Sequence, residues 1–432
     1  MAEFTQIGKI FSGKHTGKEV NLRGWIHRKR SSGGVQFLIL RDSTGILQVA
    51  IKKENVSEKA YEDADKALLE SAVTAKGVVK EDKRAPGGYE LQVNDFSVIS
   101  FSEPFPITEH QSTELLLDLR HLWLRSQKLT NVMKVRQYMI GYLRDYFYSH
   151  DFWEVAPPII TQAGCEGGST LFEFKYFDDI AYLSQSAQLY NEVFITALEK
   201  IFVLAPSFRA ERSRTVKHLA EYWHLEAEEA FYHNEDNMKL QEELVSYACQ
   251  KLAKNHADLL EFFKVKPETL AKVSPPFKRV SYDDAIDFLV KKGVKKKWGD
   301  DFGTEDEEVL TADLEKPMFI YNYPKEGRAF YMKINPENPE TVLNADMQAP
   351  HGHGELVGGS ERIWDYKELM QRIKDEKLDV KSYQWYVDLR KYGSVPHSGF
   401  GLGIERLLKW VLNLDHIRDA IPFPRTINRV YP

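Results

Sequence analysis

The first hundred residues alternate. In "EVNLRGWI" the positions Val20, Leu22, Gly24 and Ile26 share one side, and "QFLILRD", "ILQVAI", "AVTAKGVV" and "YELQVNDFSVIS" keep the same two-residue period. That period is the mark of half-buried strands. "RAPGGYE" adds a Pro-Gly-Gly turn, and "KENVSEKAYEDADKALLESA", between the third and fourth strands, is helical instead. Five short strands with one helix after the third predict an OB-fold barrel, an architecture suited to nucleic acid strands. "FSEPFPITEH", with two prolines, reads as the start of a linker.

Beyond the linker the period changes. "LTNVMKVRQYMIGYLRDYFYSHDF" sets Val132, Val135, Met139, Tyr142 and Tyr146 at three- and four-residue spacing, an amphipathic helix that runs into "FWEVAPPII". From 176 to 420, strand-like runs ("VFITALEKIFVLAPSF", "PMFIYNYP", "RAFYMKI") mix with helical ones ("NMKLQEELVSYACQKLAKN", "YDDAIDFLVKKG"), without an internal repeat. The pattern predicts an α+β chain: a barrel domain over 1–103, a linker or hinge over 104–126 and one large α+β domain over 127–432. Within the large domain, "FRAERSRTVKHLAEYWHLEAE" reads as strand, loop and strand. Arg209 and Glu211 alternate before a polar run, and apolar and acidic residues alternate after it. A concave, charged surface of this kind suits a polyanion.

Composition narrows the picture. With 43% hydrophobic residues in 432, the chain has material for more than one core. No run approaches the roughly 18 apolar residues of a membrane span, and "MAEFTQIGKIFSGKH" is no secretory leader, so a soluble, cytoplasmic chain without a membrane partner is expected. Cys165 and Cys249 are too few for a disulfide framework. His351 and His353 in "HGHGE" lack the further ligands of a zinc site. Net charge is −6, yet ten Lys or Arg between Lys9 and Lys53 face only Glu19 and Asp42. A basic module on an acidic body points to a polyanionic partner for the barrel.

Three stretches carry chemistry: the segment from Phe208, "GELVGGSERIWD" from Gly354, and "GFGLGIERLLKWVL", a glycine-alternating strand that puts Arg406 near a helix N-terminus. "FWEVAPP", the segment from Phe208 and "GFGLGIERL" resemble, in that order, motifs 1, 2 and 3 of the class II aminoacyl-tRNA synthetases, and the basic OB module places the likeness in the aspartyl, asparaginyl and lysyl subclass. "LRDSTGILQV", "EGGSTLFEFKYF", "LSQSAQLYNE" and "IRDAIPFPRTINRVYP" extend it over nearly the whole chain, with the closest likeness to archaeal-type asparaginyl enzymes.

The resemblance implies a class II catalytic domain, an antiparallel sheet flanked by helices, using ATP, Mg²⁺, L-asparagine and tRNA(Asn). It implies that Arg209 grips the α-phosphate and the substrate carboxylate, and that Glu211 accepts from the adenine amino group. His218 would approach the pyrophosphate side and Leu219 offer its backbone to adenine. Arg406 would hold the γ-phosphate and stack on adenine opposite Tyr222. Glu355 would bind Mg²⁺ with Asp346 as a second carboxylate, and Glu166 and Gln188 would take the substrate α-amino group. Glu226 resembles an acidic position near the same site. On the barrel, strand parity turns Leu38 and Leu40 inward and Phe37 and Gln48 outward, and the resemblance implies that Arg30, Phe37 and Gln48 read the anticodon, with Phe37 stacking on a base. The motif 1 helix and Pro158 imply a homodimer.

For the side chain, aspartyl enzymes typically read "QSPQLYKQ", where this chain reads "QSAQLYNE". Asn191 stands in place of the lysine and Glu192 follows, while Arg362 matches an arginine that both groups keep. Losing a cation about 4 Å from a substrate carboxylate forfeits roughly 4 kcal/mol at an effective dielectric of 20. Asparagine is therefore expected over aspartate, with Asn191, Glu192 and Arg362 at the side chain. The alternative is an aspartyl-tRNA synthetase, including one that accepts both tRNAs. An asparagine synthetase built on this scaffold lacks the barrel, and a silent tRNA-binding relative would have lost Arg209, Glu355 and Arg406.

Overall fold

The computed structural model describes residues 3–108, 110–162, 164–165, 171–212 and 215–432. They divide into two units, Met1–Leu116 and Leu117–Pro432. In the first, β1 (Glu19–Ser32), β2 (Val35–Arg41), β3 (Ile46–Lys52), β4 (Ala72–Glu81) and β5 (Tyr89–Ser100) close into a barrel in the order β1-β2-β3-β5-β4. The helix Glu58–Lys66 lies between β3 and β4 in the chain, and the Ser57 side chain caps it by accepting from the Ala60 N–H. The alternation seen in the sequence is the barrel's inside and outside. Leu22, Ile26, Leu38, Leu40, Leu47, Val49 and Ile51 fill the interior. Strand crossings are tight enough to demand glycine at Gly24, where a β-carbon would lie 2.4 Å from the Arg41 carbonyl oxygen.

The second unit is built on an eight-stranded sheet. Its strands are β6 (Trp153–Glu154), β10 (Lys200–Phe208), β11 (Glu221–Ala230), β12 (Lys278–Ser281), β13 (Met318–Tyr321), β14 (Asn344–Ala349), β15 (Gly354–Glu361) and β16 (His397–Gly403). They run in the order β12-β13-β14-β15-β16-β11-β10-β6, antiparallel except for the outermost pair at each edge. A separate small sheet joins β7 (Ile160–Thr161), β8 (Glu173–Tyr176) and β9 (Asp179–Leu183).

The helices Gln127–Ser149 and Asn234–Asn255 cover one face of the large sheet. Val132, Val135, Met139, Leu143 and Phe147 share a core with Met238, Leu244, Leu225, Ala227, Phe400 and Leu402. Leu225 and Ala227 therefore turn toward the helices, and period-two geometry sends His224, Glu226 and Glu228 to the opposite face. One strand thus carries both the core and the charged row.

Some expected elements differ. "VFITAL" belongs to the helix Gln188–Leu198, not to a strand. Its apolar residues fit either period, and the three-residue step from Ile195 to Leu198 packs both against Ile201 and Ala230. "RAFYMKI" forms no strand beyond isolated bridges from Met332 to Arg362 and from Ile334 to Val342, because Phe330 and Tyr331 are buried beside Tyr383 and Tyr386. Strand β10 ends at Phe208, so Arg209 and Glu211 sit in the following loop. Arg120, read as linker, is fully buried in the second unit, donating to the backbone carbonyls of Arg418, Ile421 and Pro422.

Candidate active site

On the face away from the core, β11 and β16 run side by side with His224 opposite Gly403, Glu226 opposite Gly401 and Glu228 opposite Gly399. A β-carbon at Gly401 would sit 2.2 Å from the His224 ring, and one at Gly399 would sit 2.2 Å from the Glu228 carboxyl. The alternating glycines of "GFGLG" make room for this row of charged side chains.

Two cavities meet along the row, sharing Arg209, His224, Glu355 and Gly401. The first is cationic. Arg209, Lys217 and Arg406 line it with His218, Leu219 and Tyr222. The Arg209 guanidinium lies 5.9 Å from the Tyr222 ring centroid. Arg406 is the third residue of the helix Ile404–Val411, and its Nη1 donates to the Glu355 carbonyl at 3.2 Å. Lys217 reaches in from the loop and pairs with Glu307 at 2.7 Å. Burial, with Arg406 and Arg209 nearby, lowers the His218 pKa, so its ring is neutral at pH 7.

Between the cavities stand two carboxyl groups. Asp346 on β14 and Glu355 on β15 flank Gly358, where a β-carbon would come within 3.6 Å of the first and 3.2 Å of the second. A β-bulge after Met347 sets this register, leaving Asp346 opposite Gly358 while Gln348 faces Glu355. Burial, and then the charge on Glu355, push Asp346 up to about 7. Burial acts the same way on Glu355, but Arg406, Arg209 and Arg328 outweigh it and lower its pKa. Two neighbouring hard-oxygen groups fit a divalent cation that takes its remaining ligands from a substrate. Among the described residues no group of three His, Cys, Asp or Glu forms a self-sufficient metal site.

The second cavity is lined by Ser186, Gln188, Glu226, Arg328, Tyr331 and Arg362, among others. Glu226 fixes its rim, accepting from the Ser186 hydroxyl and, at 2.8 Å, from the Ala187 N–H. At its far end Arg362 donates to both Glu228 oxygens, at 2.6 and 3.3 Å, and to Ser360 Oγ at 2.6 Å. Burial alone would lower the Arg362 pKa, but Glu228 more than reverses this, so the guanidinium keeps its charge. Burial pushes Glu228 up to about 8 against the pull of Arg362, yet both of its oxygens accept from the guanidinium, the arrangement of a carboxylate, and we read the two as a buried ion pair.

Arg209, His218, Leu219, Tyr222, Glu355, Asp346, Arg406, Gln188 and Arg362 are thus brought together as the sequence suggested. Glu211 is exposed on the loop and lines neither cavity. Glu166 lies outside the described residues. Asn191 and Glu192, expected at the substrate side chain, do not line the cavity. Both are fully buried because they lie on the helix Gln188–Leu198. Glu192 is occupied by Arg390, His397, Tyr386 and Gln188, and neither amide atom of Asn191 has a hydrogen-bond partner among the described residues.

On the barrel, Arg30 lies over the Phe37 ring at 4.5 Å and donates to Gln48 Oε1 at 3.4 Å. Gln48 in turn donates to Glu90 Oε2 at 2.7 Å. Gln48, expected outward and free, is covered by these two partners and is buried.

Residues 112–427 match the family model of the class II tRNA synthetases (D, K and N), and residues 20–99 match the OB-fold nucleic acid binding domain. The chain belongs to the class II tRNA synthetases. Within them, the asparagine–tRNA ligase of Thermococcus gammatolerans is 53% identical over 96% of this chain and 96% of its own. That of Thermoplasma acidophilum is 47% identical over 99% of each. The crystal structure of asparaginyl-tRNA synthetase from Pyrococcus horikoshii complexed with asparaginyl-adenylate matches with a TM-score of 0.97 at 50% identity, covering 100% of both chains.

Sequence reasoning missed several residues of this synthetase's site. Glu228 has the same strand parity as His224 and Glu226, a signal that was present. Lys217 was a loop cation among others. Glu307 and Glu90 come from distant elements, and no local pattern marks them. The glycine row gives a direct test. Gly399→Ala drives a methyl into Glu228 and the Ala227 carbonyl, and is expected to destabilise the second unit by about 1–3 kcal/mol. A urea midpoint equal to wild type would contradict the crowding.

Proposed function

We propose that this synthetase joins asparagine to tRNA(Asn) in two steps, through an asparaginyl-adenylate made from ATP and transfer to the tRNA 3′ end. The observation that carries the proposal is the join of the two cavities at Arg209. A cation-lined space suited to a triphosphate opens there onto a polar space whose further cations, Arg328 and Arg362, are each already matched by carboxylates.

Activation joins a carboxylate to a phosphorus atom, concentrating negative charge where the cavities meet. Arg209 stands at that point to stabilise it. Arg406 and Lys217 hold the outer phosphates, His218 approaches the pyrophosphate side, and Tyr222 with Arg406 takes the base between them, beside Leu219. Glu211 reaches the adenine amino group only if the loop adjusts on binding. Asp346 and Glu355 would hold Mg²⁺, which supplies charge neutralisation at the phosphates. Ser186 and Gln188 face the substrate α-amino group, and Arg362 its side-chain carbonyl.

Asparagine is favoured over aspartate by charge. An Arg362 already neutralised by Glu228 offers a donor to an amide oxygen but no net charge to a second carboxylate. The aspartyl reading needs an unmatched cation there. For tRNA, the half-buried Phe37 beneath Arg30 is a stacking platform on the basic barrel, with Arg30 itself available to the phosphates. Exposed Trp153, Tyr176, Phe177 and Ile180 on β6 and the small sheet support a homodimer that covers them. The cytoplasm is the proposed location; among the described residues no helix is long and apolar enough to cross a membrane.

Amino acid-dependent pyrophosphate exchange tests the proposal. Asparagine is expected to support exchange and aspartate to do so at least a hundredfold less well, whereas exchange driven by aspartate alone would overturn it. Phe37→Ala is expected to raise KM for tRNA about tenfold, in line with the roughly 1–3 kcal/mol of a base stack, while leaving exchange unchanged. Equal loss of both activities would remove the barrel from anticodon reading.

A further inference from the structure

We propose that Glu192 is a positioning residue for recognition of the substrate α-ammonium, acting through Gln188 without touching substrate. The inference rests on the reading of the second cavity as the asparagine site. Gln188 and Glu192 are one helical turn apart on the helix Gln188–Leu198. Gln188 lines the cavity, and its Nε2 donates inward to Glu192 Oε1 at 3.1 Å. Gln188 Oε1 has no partner among the described residues and is not sealed from solvent, so it is the atom left to the cavity.

A primary amide can present either end, and its two ends recognise opposite chemistries: the oxygen accepts from an ammonium group, the NH₂ repels it. Glu192 decides which end faces out. Its side chain is entirely buried, and donors surround it. Oε2 accepts from Arg390 Nη2 at 2.5 Å and from Tyr386 OH at 2.7 Å, and His397 Nε2 lies 3.0 Å from it. Oε1 takes Tyr386 OH at 2.9 Å as well as the Gln188 amide. Arg390 is itself anchored, donating from Nε to the Ile363 carbonyl at 2.8 Å. Burial alone would raise the Glu192 pKa, but Arg390, His397 and Arg362 outweigh it and hold the carboxyl below its ordinary range. Against an ionised oxygen, only the NH₂ end of Gln188 can face inward. Flipping it would set oxygen against oxygen in a buried site.

The substitution Glu192→Gln separates positioning from mere support. The new side chain has one oxygen, which Arg390 claims, so its NH₂ faces Gln188 and forces that amide to flip. The readouts are KM for asparagine, KM for ATP and the inhibition constant of succinamate, which is asparagine without its amino group, all from pyrophosphate exchange by the full-length enzyme. KM for asparagine is expected to rise at least tenfold, with the succinamate constant and KM for ATP within twofold of wild type. If the asparagine and succinamate values rise together, or neither moves, the positioning role is wrong. Should Glu192→Gln not fold, Glu192→Asp keeps the charge beside Arg390 but withdraws the oxygen from Gln188, and the same selective loss is expected; an unchanged asparagine-to-succinamate ratio would overturn the proposal. A wild-type enzyme that gives no exchange with asparagine would instead refute the underlying reading of the site.

Discussion

The buried pair of Arg362 and Glu228 is the constraint on which the site depends. A guanidinium cannot give up its proton at physiological pH, and burying one unmatched costs several kcal/mol. Glu228 meets that cost at 2.6 Å, reaching from β11 across β16 to the end of β15. The arrangement dictates its surroundings. Gly399 must lack a side chain because the Glu228 carboxyl fills the space across the strand, and Ser360 takes another arm of the guanidinium. The pocket that results is polar yet close to electrically balanced at its end, the property that separates an amide from a carboxylate of nearly the same shape.

The sheet makes this possible by parity. On β11, Leu225 and Ala227 join the core under the two long helices, while His224, Glu226 and Glu228 project the other way. Each charged side chain is therefore held by a strand whose opposite face is anchored in apolar packing. Such a scaffold suits a reaction in which charge develops at one fixed point, because preorganised groups do not have to reorient. The loop cations are held differently. Lys217 is tied to Glu307 on the helix Thr304–Thr311, so the loop that carries His218 and Leu219 is braced by an element far away in sequence.

Much of this was legible from the chain. Period-two alternation marked the barrel because its interior is apolar and its exterior is not, and Leu38 and Leu40 sit inward as read. The charged segment from Phe208, the glycine strand and Arg406 converge in space. Asn191 and Glu192 were misplaced because their stretch was compared position by position with a lysine-bearing motif, and such a comparison does not say which way a helix turns. On a helix, residues 188, 191 and 192 share one face, so Gln188 at the N-terminal end reaches the cavity while Asn191 and Glu192, a turn further on, lie deeper in the interior. Gln48 was read as exposed from strand parity alone, and parity cannot see Glu90 arriving from β5. Long-range partners were the illegible part, because ion pairs such as Lys217 with Glu307 leave no periodic trace.

Substituting Glu228 by Gln interrogates the charge balance most directly. It preserves shape and strips Arg362 of its counter-charge, so the ratio of kcat/KM for asparagine to that for aspartate in pyrophosphate exchange is expected to fall by about two decades, as an unmatched cation near the ligand begins to favour a carboxylate. The ratio, unlike the absolute rate, is insensitive to general loss of folded enzyme. A ratio that stays at its wild-type value would contradict the assignment of selectivity to this pair.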